Sequence, residues 1–204
     1  MALARPPSSS APELPARRLA RLTEPLRLRR GGVIEQPVVA YEAWGQLNAA
    51  RDNTVLMFTG LSPSAHAASS PADPKPGWWE SMIGDGRPID TRRYFVVCIN
   101  SLGSPFGSSS PASIDPRHGR PHGTAFPEVA VEDIARAGRE ALRTLGIERV
   151  ASVVGPSLGG MTVLAYCALF PGEMGSVVTI SGAARANPFA IALRSLQREM
   201  VRSD

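Results

Sequence analysis

Arg149-Val150-Ala151-Ser152-Val153-Val154-Gly155-Pro156-Ser157-Leu158-Gly159-Gly160 is an apolar run that ends at a serine flanked by glycines. Beyond it, Leu158 to Phe170 is almost wholly apolar and stops at Pro171-Gly172. A short continuous apolar run bounded by turn residues fits a buried strand, and a longer one fits a helix. The serine therefore stands on a tight strand-to-helix turn. Such a turn needs small neighbours, because the serine backbone is strained and adjacent chains approach closely. Gly155, Gly159 and Gly160 supply that room. The turn also aims the first free N–H groups of the helix, notably that of Leu158, at the place where an oxyanion would form. As a bare pattern, Gly-x-Ser-x-Gly would occur by chance in a chain of this length roughly once in 15, so its weight comes from its strand and helix context. A P-loop would need a lysine, and a dinucleotide fingerprint would need a different glycine spacing.

Outward from this turn, Ser176-Val177-Val178-Thr179-Ile180 reads as another strand. Upstream, Val129, Ile134, Ala137, Ala141, Leu142 and Leu145 recur at helical spacing, and Gly146 closes the helix. Tyr94 to Ile99 and Val55 to Phe58 are solid apolar runs, whereas Val38 to Trp44 alternates and reads as an outer strand. Strands alternating with helices predict an α/β fold, with a mostly parallel sheet and helices on both faces. The Gly/Ser/Pro-rich stretch from Ser101 to about Pro127 reads as a long loop, of the kind that is functional or mobile. Residues 1–16 are rich in Pro, Ser and Ala and cannot repay the entropy of ordering, so a disordered tail is expected. No internal repeat is visible.

The chain has 204 residues, 43% of them hydrophobic, which is enough for one sizeable domain or part of a larger one. Its net charge of +4 is not a nucleic-acid signal once it is located. Residues 1–30 hold seven Arg and two Glu, a net of +5, and the remainder nets −1. No element of the body clusters arginines as a polyanion groove would require. An organelle transit peptide shares the Arg-rich, acid-poor composition of the start, but a solvated tail accounts for it more simply. No apolar stretch is long enough for a membrane span or a signal core, so a soluble, cytoplasmic protein is expected. Cys98 and Cys167 sit in apolar runs as small core residues, and no cluster has metal-ligand spacing.

Acyl transfer through a serine needs a second oxyanion donor from a loop after an earlier strand. Thr59-Gly60-Leu61-Ser62-Pro63-Ser64-Ala65-His66 directly follows the strand Val55–Phe58 and is the natural candidate. With it, several ordered stretches resemble the homoserine O-acetyltransferase and serine O-succinyltransferase group of α/β-hydrolase-fold enzymes. They are Tyr41 to Asn48, Val55 to His66, Gly77-Trp78-Trp79, Ile89-Asp90-Thr91, Tyr94 to Asn100, Leu102-Gly103, Gly107-Ser108, Gly123 to Pro127 and Gly155 to Met161. The resemblance implies that Ser157 is the nucleophile and that the backbone N–H groups of Leu61 and Leu158 form the oxyanion hole. It divides the chain into a tail (1–16), the N-terminal part of a hydrolase-fold domain (17–188) and the start of a helical cap (189–204).

Two departures from the acetyltransferase pattern carry information. The elbow reads Gly155-Pro156-Ser157-Leu158-Gly159-Gly160 where that pattern has Gly-Gly-Ser-Met-Gly-Gly. The oxyanion loop reads Leu61-Ser62-Pro63-Ser64 where it has Leu-Thr-Gly-Asp, which should reshape the pocket for the amino-acid acceptor. Both variants look more like the serine O-succinyltransferase branch. That branch implies succinyl-CoA as acyl donor and L-serine as acceptor, with no cofactor besides the acyl-CoA co-substrate. Arg185 is then a candidate partner for the succinyl carboxylate, or else a solvent-facing arginine near the entrance. Acetyl-CoA with L-homoserine is the alternative pair, and a plain esterase or a non-catalytic binding module are further ones. The family also implies a homodimer built through cap helices.

In this fold the triad runs Ser, then Asp or Glu, then His. His66, His118 and His122 all precede Ser157, and the acidic residues after it are only Glu173, Glu199 and Asp204. The base and its orienting carboxylate are therefore expected outside these 204 residues, in the remainder of a longer enzyme.

Overall fold

The computed structural model describes residues 14–203. Most of the expected tail, residues 1–13, lies outside them. Six strands make the central sheet: β1 (Arg18–Arg21), β2 (Val38–Trp44), β3 (Thr54–Phe58), β4 (Phe95–Ile99), β5 (Val150–Pro156) and β6 (Met174–Ile180). Their spatial order is β1-β2-β4-β3-β5-β6. The β4, β3, β5 and β6 strands run parallel, and β1 and β2 are antiparallel to their neighbours. Three helices accompany the sheet: α1 (Val131–Thr144), α2 (Leu158–Leu169) and α3 (Pro188–Arg202).

The strands at the centre are those with unbroken apolar runs. All five residues of β3 are buried, as are Val96 to Ile99 of β4, because helices or loops cover both faces. On one face Phe58, Ile99 and Leu56 pack with Ile134, Leu142 and Tyr166 of α1 and α2. On the other, Met57, Val96 and Cys98 pack with Ala65, Ala67, Ala68 and Ile83 from the loops after β3. Gly138 lets α1 lie directly on the sheet, since a Cβ there would stand 2.7 Å from the Phe58 ring and 2.8 Å from Ile99 Cδ1. The start of α1 is held by Asp133, fully buried, which accepts the N–H groups of Ala130 and Arg29, each at 2.9 Å.

Two readings need correction. The strand Val38–Trp44 is not at the edge: β1 pairs outside it in the register Arg18↔Tyr41 to Arg21↔Val38. The four residues of β1 bury only Ala20, so they carry almost no apolar periodicity to read. The segment from Ser101 to Pro127 is also not a free loop. It contains a two-stranded ladder, Ile114–Asp115 with Arg120–Pro121, and a 3-10 turn at Gly123–Ala125. It is tied to β2 by serine side chains. Ser109 Oγ accepts from Val38 N at 2.9 Å, and Ser108 Oγ accepts from Ala40 N at 3.0 Å while donating to the Asn100 carbonyl at 2.8 Å. Polar residues read as loop because their hydroxyls supply part of the pairing, beside the backbone bond from Ser109 N to the Val38 carbonyl at 2.8 Å.

The far edge is open among the described residues. Val177, Val178 and Ile180 of β6 are 41%, 45% and 39% exposed, and α3 buries none of its residues.

Candidate active site

Ser157 sits between the last residue of β5 and the first of α2, with φ 54° and ψ −117°. This is a left-handed conformation that costs an L-residue roughly 1–2 kcal/mol, and it persists only where the surroundings enforce it. Here the enforcement is visible. Ser157 N donates to the Ile180 carbonyl at 2.8 Å, tying the turn to the end of β6, and the Ser157 carbonyl accepts from Met161 N at 3.0 Å, opening α2.

The three neighbouring glycines are steric necessities. A Cβ on Gly155 would lie 2.4 Å from the Gly159 carbonyl carbon, and one on Gly159 would lie 2.2 Å from the Phe58 oxygen and 2.8 Å from that of Thr59. A Cβ on Gly160 would meet Thr179 Oγ1 at 2.8 Å and Gly182 Cα at 3.0 Å. These contacts bring the elbow against the exit of β3, where the loop Gly60–His66 starts. A Cβ on Gly60 would be 3.8 Å from the Pro156 carbonyl oxygen. The structure thus brings together Ser157, Leu158 and the loop carrying Leu61, Ser62, Pro63 and Ser64. Leu61 is 77% exposed, so its side chain is not packed into the core. Arg185 lies in the exposed segment between β6 and α3.

The three histidines have other partners. The His66 ring lies between Glu42 and the Lys75 carbonyl, at 2.9 and 2.8 Å. His118 and His122 stand 3.1 and 3.5 Å from Asp115. Of the acidic residues beyond the elbow, Glu173 pairs with Arg139 and Glu199 with Arg202. Among the described residues, no imidazole is hydrogen bonded to Ser157. Nor does any group of three or more His, Cys, Asp or Glu there have the arrangement to hold a metal ion. Cys98 is buried and Cys167 half-buried, both as free thiols. No described helix is long and apolar enough to cross a membrane.

Glu42 is the residue that sequence reasoning missed. It is 1% exposed in the middle of β2, and its carboxyl is raised above the ordinary range by burial, against the lowering effect of the His66 hydrogen bond. A single carboxylate inside Val38-Val39-Ala40-Tyr41-Glu42-Ala43-Trp44 was the available signal, since a buried charge in an apolar strand requires a partner.

A sheet in this strand order, with a strained serine on a glycine-bounded turn after a central parallel strand, defines a protein of the hydrolase fold class. The chain belongs to the α/β-hydrolase fold family, whose profile matches residues 53–204. It is 58% identical over 189 residues to a serine O-succinyltransferase of Litchfieldella anticariensis, covering 93% of this chain and 52% of that protein. It is 55% identical over 190 residues to an L-serine/homoserine O-acetyltransferase of Streptomyces lavendulae, with 93% and 51% coverage. Among solved structures, esterase E22 superposes with a TM-score of 0.78 at 32% identity, covering 86% of this chain and 50% of that one. The chain spans about half the length of the curated relatives it matches.

Proposed function

We propose that the chain carries the nucleophile half of a serine O-acyltransferase that moves a succinyl group from succinyl-CoA to the hydroxyl of L-serine. The observation that carries the proposal is the Ser157 backbone, held at φ 54° between β5 and α2 with the Leu61 loop packed beside it. Ser157 Oγ attacks the thioester carbonyl, and the N–H groups of Leu61 and Leu158 hold the oxyanion. The C–S bond breaks, CoA leaves as its thiol, and an acyl-serine ester remains. The acceptor hydroxyl then attacks that ester, and the proton it loses is returned to Ser157 Oγ. Both steps need an imidazole to carry the proton, and the whole enzyme must provide it from outside the described residues.

Leu61-Ser62-Pro63-Ser64 lines the acceptor side in this reading, and Arg185 receives the succinyl carboxylate through a two-point contact. Acyl-CoA is a co-substrate, no further cofactor takes part, and the whole protein works in the cytoplasm as a homodimer. The second reading is an acetyl donor with serine or homoserine as acceptor, favoured by the likeness to the Streptomyces acetyltransferase. Initial rates of the full-length gene product with succinyl-CoA against acetyl-CoA, and with serine against homoserine, separate the two. A marked preference for succinyl-CoA with serine is expected, and a preference for acetyl-CoA with homoserine overturns the first reading. Ester hydrolysis with no transfer to either amino acid would make the protein an esterase instead.

A further inference from the structure

The proposed oxyanion loop begins at the buried end of β3 and leaves the sheet after Phe58, so something must fix where Leu61 presents its N–H. The loop's far end is His66, and its ring bridges two separate elements. Nδ1 is 2.9 Å from Oε2 of Glu42 on β2, and Nε2 is 2.8 Å from the Lys75 carbonyl. The side chains are 11% and 1% exposed. Around this pin the loop is braced by the Gly77-Trp78-Trp79 turn. Trp78 Nε1 donates to the Ser64 carbonyl at 2.9 Å, and Trp78 N donates to the His66 carbonyl at 3.3 Å. That turn fits so closely that a Cβ on Gly77 would lie 2.2 Å from Ala67 backbone carbon.

We propose that His66 is a positioning residue for acyl transfer: its ring, held between Glu42 and the Lys75 carbonyl, fixes the loop that presents the Leu61 N–H beside Ser157. This rests on the reading of Leu61 as an oxyanion donor. The chemistry of the pin follows from its partners. A carbonyl can only accept, so Nε2 carries a hydrogen. Nδ1 and Glu42 Oε2 then share one further proton, as imidazolium beside carboxylate or as imidazole beside carboxylic acid. The pair is neutral either way and its bond is intact. Removal of that proton sets two lone pairs against each other, and the pin opens.

The groups facing the pair determine when this happens. Asp73 Oδ2 is 4.0 Å from Nδ1, Arg17 acts on Glu42 from the chain before β1, and the buried Cys98 thiol of β4 lies near Glu42. Burial lowers the imidazole, but the bonds to Glu42 and Lys75 and the charges of Glu42 and Asp73 outweigh it and raise it above its ordinary 6.5. Glu42 is raised as well. Both shifts favour keeping the shared proton beyond the pH at which a free imidazole would lose it, and the pin weakens as pH rises through the raised imidazole value.

The test uses the full-length gene product with Glu42→Ala, Glu42→Gln and Ser157→Ala. Glu42→Ala frees the ring. Since a reacting group displaced by about 1 Å costs on the order of 10²-fold, kcat should fall about 10- to 100-fold with KM for the acyl donor changed less than threefold. Glu42→Gln offers an amide N–H to neutral Nδ1. It should recover most of kcat and remove the alkaline fall-off attributable to the pin, whereas a purely structural role would leave the pH profile of kcat unchanged. An ester substrate is assayed in parallel, so that failure of the serine-transfer reading leaves the pin measurable on acylation of Ser157. Nitrogen-15 NMR of the wild-type imidazoles covers the case in which Glu42→Ala does not fold. A His66 ring titrating above the ordinary value supports the pin, and one titrating as a free imidazole overturns it. Folded Glu42→Ala with kcat within twofold of wild type overturns it also.

Discussion

The α carbon of Gly159 faces the carbonyl oxygen of Phe58 so closely that a single methyl group at position 159 would come within 2.2 Å of it. The start of α2 and the exit of β3 are therefore in backbone contact, with no side chain between them to yield. Gly159→Ala should cost about 3 kcal/mol or more, the upper range for overpacking, and should reduce acylation of Ser157 more than stability alone explains. Urea unfolding midpoints together with acyl-enzyme yield measure both. A variant as stable and as readily acylated as wild type would show that the contact relaxes.

The strain at Ser157 gives a stability comparison at one position. Ser157→Ala keeps a Cβ at φ 54°, whereas Ser157→Gly releases it. The glycine variant should be more stable than the alanine variant by about 0.5–1 kcal/mol, even though glycine is normally the less stable choice. Both should form no acyl-enzyme. Thermal unfolding of the two proteins side by side decides it, and the opposite order would mean that the serine backbone is not strained.

Arg139 on α1 holds Glu173, just before β6, through two nitrogens, and its guanidinium lies 4.6 Å from the centroid of the Phe170 ring. Lysine cannot reproduce the fork, so Arg139→Lys should lose about 1 kcal/mol. The Arg139 hydrogen bond lowers the Glu173 carboxyl below its ordinary 4.5. A lowered folded value contributes stability above the unfolded value and loses it as pH falls through the folded one. The stability gap between wild type and Glu173→Gln should therefore be full at neutral pH and close as the pH drops below about 4.5. A gap independent of pH would assign the effect to packing.

Asp133 accepts two backbone N–H groups in a fully buried position. Asp133→Ala leaves both without a partner and should destabilise the fold by roughly 2–4 kcal/mol. Chemical denaturation checks this, and a loss under 1 kcal/mol would show that both donors find other acceptors.

The 204-residue polypeptide by itself should show no transfer of an acyl group to serine or homoserine, because no imidazole is hydrogen bonded to Ser157 among the described residues. Turnover by the purified chain that vanishes in Ser157→Ala would overturn this, and would point to a base recruited from His66, His118 or His122.

The parts of this molecule that could be read in the sequence are those whose burial is symmetrical. Strands β3 and β4 are buried on both faces, so Val55 to Phe58 and Val96 to Ile99 stand out as unbroken apolar runs, and the largely apolar Val150 to Val154 of β5 is interrupted only at the half-buried Ser152. The elbow was legible because backbone proximity leaves only glycine at three positions around Ser157. What escaped was structure built from polar atoms. Strand β1 buries one alanine, the Ser101–Pro127 segment is fixed by hydroxyls, and the Glu42–His66 pair joins residues 24 apart in sequence. None of these leaves a periodic trace, since a hydrogen bond depends on two positions that only the fold brings together.

The serine hydroxyls on β2 have a consequence for local opening. Beyond Tyr41, on the side of β2 facing β4, the carbonyls of Ala40 and Val38 accept from Asn100 N and Ser109 N, while the Val38 and Ala40 N–H groups donate to the hydroxyls of Ser109 and Ser108. The two amide hydrogens are held by side chains of a segment outside the six strands. In hydrogen–deuterium exchange, Val38 and Ala40 should thus exchange at the rate at which that segment lifts off, while Leu56 and Val97 at the centre of the sheet wait for global unfolding.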